Sequence, residues 1–293
     1  MSVHERLLRN QRIRNLVPPR AKAAFAEHRV RLRRVDRRSG LRNIYHCCVH
    51  KTGSQWVRKV LADPAVYRAT GLRTYAYGPR LNEANRSRGY RDLGFDRPFP
   101  SGRIVSPLYL PYSGFMALST PGQWRAFFVM RDPRDVLVSW YFSSVSSHPT
   151  NSSRGLAHTR ALLTDLDEEA ALVECVGMLV RYGLFDALAS WTEADDPDVM
   201  VVRYEDLIGE HRDRSWARLL DHCDVPMADA DRGALLARYS FEALSGRKPG
   251  HEDTGSKLRK GVAGDWRNHF TPLVREAFDG ATADLIRRLG YPE

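Results

Sequence analysis

A chain of 293 residues, 43% apolar and 27% charged, has the length for one large domain with a full core and the composition of an ordinary soluble globular protein. No uninterrupted apolar run is long enough to cross a bilayer, and Arg6, Arg9, Arg12 and Arg14 have no apolar block behind them, so neither a membrane span nor a secretory leader is expected and the predicted location is cytoplasmic. The formal charge of +10 points to nucleic acid only until its distribution is considered: residues 1 to 38 carry eleven Arg and one Lys against Glu5, Glu27 and Asp36, which leaves the remainder close to neutral.

Residues 1 to 42 read as a basic N-terminal helical arm, broken into two pieces by Pro18-Pro19. Such an arm suits peripheral contact with an anionic membrane surface, nucleic acid or an acidic carrier partner, or it is simply a solvated helix. The domain proper is predicted over 43–293. Its first segment, Asn43 to Val49, is apolar and rich in strand formers. His50-Lys51-Thr52-Gly53-Ser54-Gln55 follows, and Trp56, Val57, Val60 and Leu61 then recur at helical spacing until Asp63-Pro64 stops the run. Strand, tight loop and helix in that order aim unpaired N–H groups and the positive helix end at the loop's hollow, where an anion belongs. Gly53 allows close backbone approach, Thr52 and Ser54 offer hydroxyls, and Lys51 adds a full charge. The plain alternative is a surface turn, and the Gly-Lys-Ser/Thr of a Walker A loop is missing.

From Thr70 to Phe115 regular periodicity is poor and aromatic residues are frequent, a pattern expected of a loop-rich insertion around a substrate pocket or of ordinary packing beneath long loops. Trp124 to Met130 reads as a buried strand. Asp132 then serves as N-cap, Pro133 takes the first helical position, and Asp135 puts a carboxylate near the helix dipole. That helix is predicted to about Ser147, with Arg131 and Ser139 facing one sheet edge. Residues 148 to 166 are polar and Ser/Thr-rich, a predicted loop. Leu172 to Thr192 reads as an amphipathic helix, Val199 to Tyr204 as a strand followed by a turn at Glu205-Asp206, and two helices are expected near Ser215 to Cys223 and Asp231 to Tyr239. Ser245 to Leu258 is loop-like, Arg259-Lys260-Gly261-Val262-Ala263-Gly264-Asp265-Trp266 follows, and the last helix spans Pro272 to Leu289. The alternation predicts a single-domain α/β fold, its central, mostly parallel β-sheet flanked by helices on both faces. Cys47, Cys48, Cys175 and Cys223 show neither metal spacing nor a disulfide framework and are expected to be buried thiols.

His50-Lys51-Thr52-Gly53-Ser54-Gln55-Trp56 resembles the phosphosulfate-binding loop of the sulfotransferases, Pro-Lys-Ser-Gly-Thr-Thr-Trp, with His50 in place of Pro and Gln55 in place of the second Thr. Arg131 to Tyr141 closely resembles their second signature, and Arg259 to Trp266 looks like their third. The resemblance implies a P-loop-like phosphosulfate site that takes 3′-phosphoadenosine 5′-phosphosulfate (PAPS) as donor and leaves adenosine 3′,5′-bisphosphate (PAP), with no metal required. It assigns Lys51, Thr52, Gly53, Ser54 and Gln55 to the phosphosulfate end. Arg131, Ser139, Arg259, Lys260 and Gly261 go to the 3′-phosphate, Trp56 and Phe241 to the two faces of the adenine, and Tyr204 and Ser240 to polar contacts nearby.

Sulfuryl transfer asks for alignment and for stabilisation of charge on the departing oxygen, a role that the resemblance gives to Lys51. The acceptor must also lose a proton. Where cytosolic members carry His in Thr-His-Leu-Pro, this chain has Tyr109 in Leu108-Tyr109-Leu110-Pro111, and a phenol with an ordinary pKa of about 10 is a poor base at neutral pH. Three options are open: Tyr109 only positions the acceptor, His50 or His46 takes the proton, or the acceptor needs little help. The aromatic residues between 70 and 115 point to an apolar or aromatic alcohol, phenol or amine, such as a secondary metabolite or lipid. The competing readings are a P-loop-type nucleotide kinase and a basic nucleic-acid-binding protein acting through the arm.

Overall fold

Five runs of β-branched and aromatic residues form one parallel sheet in the computed structural model, which describes residues 34–77, 89–90, 94–95, 97–147 and 154–293. Most of the predicted basic arm, including Pro18-Pro19, lies outside the described residues. The strands are β1 (Asn43–Cys48), β2 (Arg73–Tyr75), β3 (Arg103–Tyr109), β4 (Trp124–Met130) and β5 (Val199–Arg203), in the order β2-β3-β1-β4-β5. All four pairings are parallel. Residues of β1 alternate between two cores. Ile44 joins Phe127, Val129, Val57 and Trp216 on one face, while Tyr45 and Cys47 join Phe128, Val136, Leu137 and Leu172 on the other. Burial on both sides explains why these strands read as continuous apolar runs.

Helices cover each face as the alternation predicts. Ser54–Leu61 (α1) and Pro64–Thr70 (α2) follow β1, and the Asp63-Pro64 pair that stops α1 also starts α2, with Asp63 accepting from the N–H of Ala65 at 2.7 Å. After β4, Pro133–Phe142 (α3) is capped by Asp132 and continues as a π-helical turn over Ser143–Ser147. The four cysteines are free and buried, as expected.

Five expectations are corrected. The irregular stretch between 70 and 115 contains β2, β3 and a short helix, Tyr112–Met116. Pro107 hides β3 from a periodicity argument. The strand tolerates it at an irregularity where Tyr45 pairs with Val105 but Cys47 with Leu108, so that Ser106 and Pro107 together face His46. The predicted loop between 148 and 166 includes a helix over Arg154–Thr164. Gly183, with φ 72°, divides the long predicted helix into Glu168–Tyr182 and Leu184–Ser190, and the last helix is likewise two, Pro272–Thr282 and Leu285–Arg288. Tyr204–Ile208 is a short helix where a turn was expected.

The strand order positions the site. From β1 the chain moves toward the β2 edge, and from β4 it moves toward the β5 edge, so adjacent strands β1 and β4 send their connections in opposite directions. At such a divergence open α/β sheets bind ligands in a crevice beyond the carboxyl ends of the strands.

Candidate active site

The loop from β1 to α1 forms one wall of the crevice. Lys51 and Gly53 both have positive φ, 70° and 78°. A Cβ on Gly53 would lie 2.8 Å from the Tyr204 ring, so only glycine lets the loop lie against that aromatic plane. The start of α1 has no side-chain cap and no acidic residue in its first turn, leaving it suited to an anion. Thr52 departs from expectation: its buried hydroxyl donates to the Val49 carbonyl at 2.9 Å and braces the loop from within. Ser54 Oγ lies 2.9 Å from the Tyr109 hydroxyl, and Gln55 Nε2 donates to the same hydroxyl at 3.4 Å.

The end of β4 supplies the second wall. Arg131 is buried, donates from one guanidinium nitrogen to the backbone carbonyl of Lys51 at 2.9 Å, and lies 4.7 Å over the Tyr204 ring. Its Nε is buried without a protein partner among the described residues. Asp135 lies 3.6 Å from Arg131, but its main partners are unforeseen. Its carboxylate accepts the N–H of Gly264 at 2.7 Å and that of Trp266 at 2.9 Å, tying the third segment to the second. Ser139 is half-buried two turns along α3.

In the third segment Arg259 is ion-paired with Glu252 and Asp265 and lies 4.3 Å over Phe142, while Lys260 is ion-paired with Asp265. Burial alone would raise the Asp265 carboxyl. Hydrogen bonds from His269, Lys260, Asn268 and Arg259 outweigh it and hold the group well below the usual carboxylate range. Gly261, with φ 69°, passes so close to Phe241 that a Cβ would come within 2.3 Å of its ring. Trp56 donates its indole N–H to the Tyr239 carbonyl at 2.7 Å and meets Trp216 edge-on at 5.6 Å. Ser240 is the N-cap of the short helix Phe241–Ser245, accepting from Ala243 N–H at 3.1 Å, so its side chain is engaged locally.

Lys51 is where the three segments meet electrostatically. Burial first, and then the positive charges of Arg131, Lys257 and Arg259, bring its ammonium down to about 7. A site that disfavours its own cation is built to gain from a bound polyanion.

Above Lys51 lies an aromatic wall. The His50 ring stacks on Tyr109 at 4.3 Å and 2°, with the rings of Trp140 and Tyr182 each 5.8 Å away. Burial, reinforced by Cys48, pushes the Tyr109 phenol well above its ordinary value, and the bonds with Ser54 and Gln55 offset this only in part. His46 stands apart from this wall. It is fully buried in mid-strand between Ser106 Oγ, 2.7 Å from its Nδ1, and the Phe127 ring, and burial pulls its imidazole down to about 3. The His46 option for the acceptor's proton is therefore withdrawn, because its ring points into the core. Among the described residues no group of three or more His, Cys, Asp or Glu could hold a metal ion, and no helix is long and apolar enough to cross a membrane.

A family profile for the sulfotransferase domain matches residues 47–290, most of the chain. The chain belongs to the sulfotransferase family. Mouse sulfotransferase 2B1 is 27% identical over 197 residues, covering 63% of this chain and 53% of that protein. Human sulfotransferase 2A1 is 26% identical over 203 residues, covering 64% of this chain and 67% of the human protein. The match therefore spans about half the length of the mouse relative. Mouse sulfotransferase SULT7A1, solved in complex with PAP, shares the fold with a TM-score of 0.59 at 20% identity over 84% of each chain.

In this member of the family, sequence reasoning singled out the cations and aromatics but not the long-range partners of the acids beside them. Asp265 could have been found, because a lone acid six residues after Arg259 and five after Lys260 can reach back to both across a glycine turn. Asp135 stands in the first turn of α3 as expected, but its bonds to Gly264 and Trp266 could not be read from spacing because those partners lie far along the chain. Tyr90 and Trp140 were legible as an aromatic of the irregular stretch and a member of a helical stripe, but that they flank His50 is decided by packing.

Proposed function

We propose that the protein transfers a sulfuryl group from PAPS to an oxygen or nitrogen of a small acceptor, leaving PAP. The observation that carries this reading is the convergence on Lys51: Arg131 holds its carbonyl at 2.9 Å, and the charges of Arg131 and Arg259 bear on its ammonium. A kinase would need a different loop, and nucleic-acid binding through the arm would leave this crevice unexplained.

The residues fit the donor. An orphaned, buried Nε on Arg131 and a cationic third segment suit a phosphate, and a planar guanidinium fork binds phosphate oxygens in pairs. Trp56 and Phe241 suit the faces of a purine, with Gly261 keeping the Phe241 ring in place. PAPS, when bound, supplies an activated sulfuryl group on a 5′-phosphate. Lys51, the N–H groups at the start of α1 and Ser54 would then stabilise the charge that develops on the departing phosphate oxygen. Thr52 braces the loop, and Arg131, Ser139, Arg259, Lys260 and Gly261 bind and orient the 3′-phosphate end. Ser240 contributes by capping the helix that carries Phe241, and Tyr204 by backing Gly53.

The half-exposed rings of His50, Tyr109, Trp140 and Tyr182 form an apolar wall beside Lys51, which favours an aromatic or apolar alcohol, phenol or amine as acceptor. Tyr109 contributes to positioning there, since its phenol is held protonated. The charge of residues 1 to 38 suits peripheral contact with an anionic surface, which rising salt should release. A cytoplasmic location accompanies this reading.

Calorimetry with PAP against ATP tests the assignment: PAP should bind the more tightly by at least tenfold, and equal affinities would remove the 3′-phosphate from the account. Arg131→Ala and Arg259→Ala should weaken PAP binding, while Lys51→Ala should abolish transfer.

A further inference from the structure

The hydroxyl of Tyr90 touches the first residue of the donor loop twice. The backbone N–H of His50 donates to it at 2.7 Å, and the ring Nδ1 of His50 lies 2.5 Å from it. Tyr90 is 3% exposed, and burial holds its phenol well above the ordinary range, so the hydroxyl keeps its hydrogen. An amide only donates, so it occupies a phenolic lone pair. The phenolic hydrogen needs an acceptor, and Nδ1 is positioned to be it. A neutral imidazole that accepts at Nδ1 carries its own hydrogen on Nε2. The ring is also held in orientation, flat against Tyr109 and edge-on to Trp140 at 89°.

We propose that Tyr90 is a positioning residue that holds His50 as the Nε2–H tautomer, making the imidazole beside Lys51 a hydrogen-bond donor to the oxygens of the transferring group rather than the base that takes the acceptor's proton. A neutral imidazole acting as an electrophile in this way is sound chemistry at a site where negative charge develops. In the transfer, the sulfur–oxygen bond to the 5′-phosphate breaks as the bond from sulfur to the acceptor forms. The electron pair stays on the phosphate oxygen, and the acceptor's proton leaves to water. The role in transfer rests on the sulfuryl-transfer reading, whereas the tautomer does not.

Nitrogen-15 NMR of the labelled full chain at pH 8 reads the tautomer directly, with the His50 ring assigned by its loss in His50→Gln. The expected pattern is an unprotonated Nδ1 and a protonated Nε2, shifting toward a mixture in Tyr90→Phe. A protonated Nδ1 in the wild type overturns the proposal, as does a pattern unchanged in Tyr90→Phe. Turnover gives an independent arm. His50→Gln keeps an N–H donor but no base, and should retain at least tenfold more activity than His50→Ala; equal losses overturn the donor role. Absence of transfer by the wild type with any acceptor would instead strike the functional reading, leaving the tautomer to the spectra.

Discussion

Asp135 accepts the backbone N–H of Gly264 at 2.7 Å, across 129 positions of sequence, and the same carboxylate takes Trp266 N–H at 2.9 Å. One buried acid thus holds the third cationic segment against the helix that begins beside Arg131. Removing it unpairs two amides and leaves Arg131 short of a counter-charge.

Asp135→Ala should therefore destabilise the fold by about 3 kcal/mol, in the range for a buried, charge-assisted pair of bonds. Hydrogen exchange at Gly264 and Trp266 should accelerate selectively, and PAP affinity should fall with it. Unchanged exchange at those amides would show that something else holds the segment.

Burial and the neighbouring cations bring the Lys51 ammonium down to about 7. A bound polyanion raises that value, so PAP binding at pH 8 should take up a proton and at pH 6 should take up almost none. Calorimetry in buffers of different ionisation enthalpy measures this, with Lys51→Met as the control that abolishes uptake. The unliganded protein carries the matching sign. An unfolded lysine stays protonated to about 10.4, so between pH 7 and that value the unfolded state binds more protons and this group raises stability as pH rises.

Gly261→Ala combines a backbone with φ 69° and a Cβ that would lie 2.3 Å from Phe241. The ring must move, and with it the wall proposed for the adenine. PAP affinity should fall at least tenfold while far-UV circular dichroism stays unchanged; retained affinity would take Phe241 out of nucleotide binding.

His46 places an acid-sensitive group in the core. Its folded value near 3 lies below the ordinary 6.5, so the neutral form's stabilisation is complete above pH 6.5 and is lost as pH falls toward 3. Lowering the pH from 7 to 5 should cost about 2 kcal/mol through this residue. Urea midpoints at the two pH values should converge in His46→Gln, and an undiminished difference would assign the acid limb elsewhere.

Much of this was legible along the chain. The apolar runs of β1, β4 and β5 and the Asp132-Pro133 helix start stand in the structure where spacing puts them, because local burial and capping decide such elements. Strand β3 was hidden, because Pro107 contradicts a strand signal that only pairing with β1 on one side and β2 on the other overrides.

The sequence by itself determined the chemical inventory: a lysine at a strand-to-helix loop, an arginine at the end of a second strand, and an Arg-Lys-Gly segment far downstream. It also determined the alternation of strands and helices that makes a parallel sheet. Only the tertiary structure decided that Arg131 grips the Lys51 carbonyl, that Asp135 ties down Gly264, and that His46 has its side chain committed to Ser106 inside the core. The reason is physical. Periodicity and capping act over a few residues, whereas hydrogen-bond partners and desolvation depend on which distant segments the strand order β2-β3-β1-β4-β5 brings to one edge.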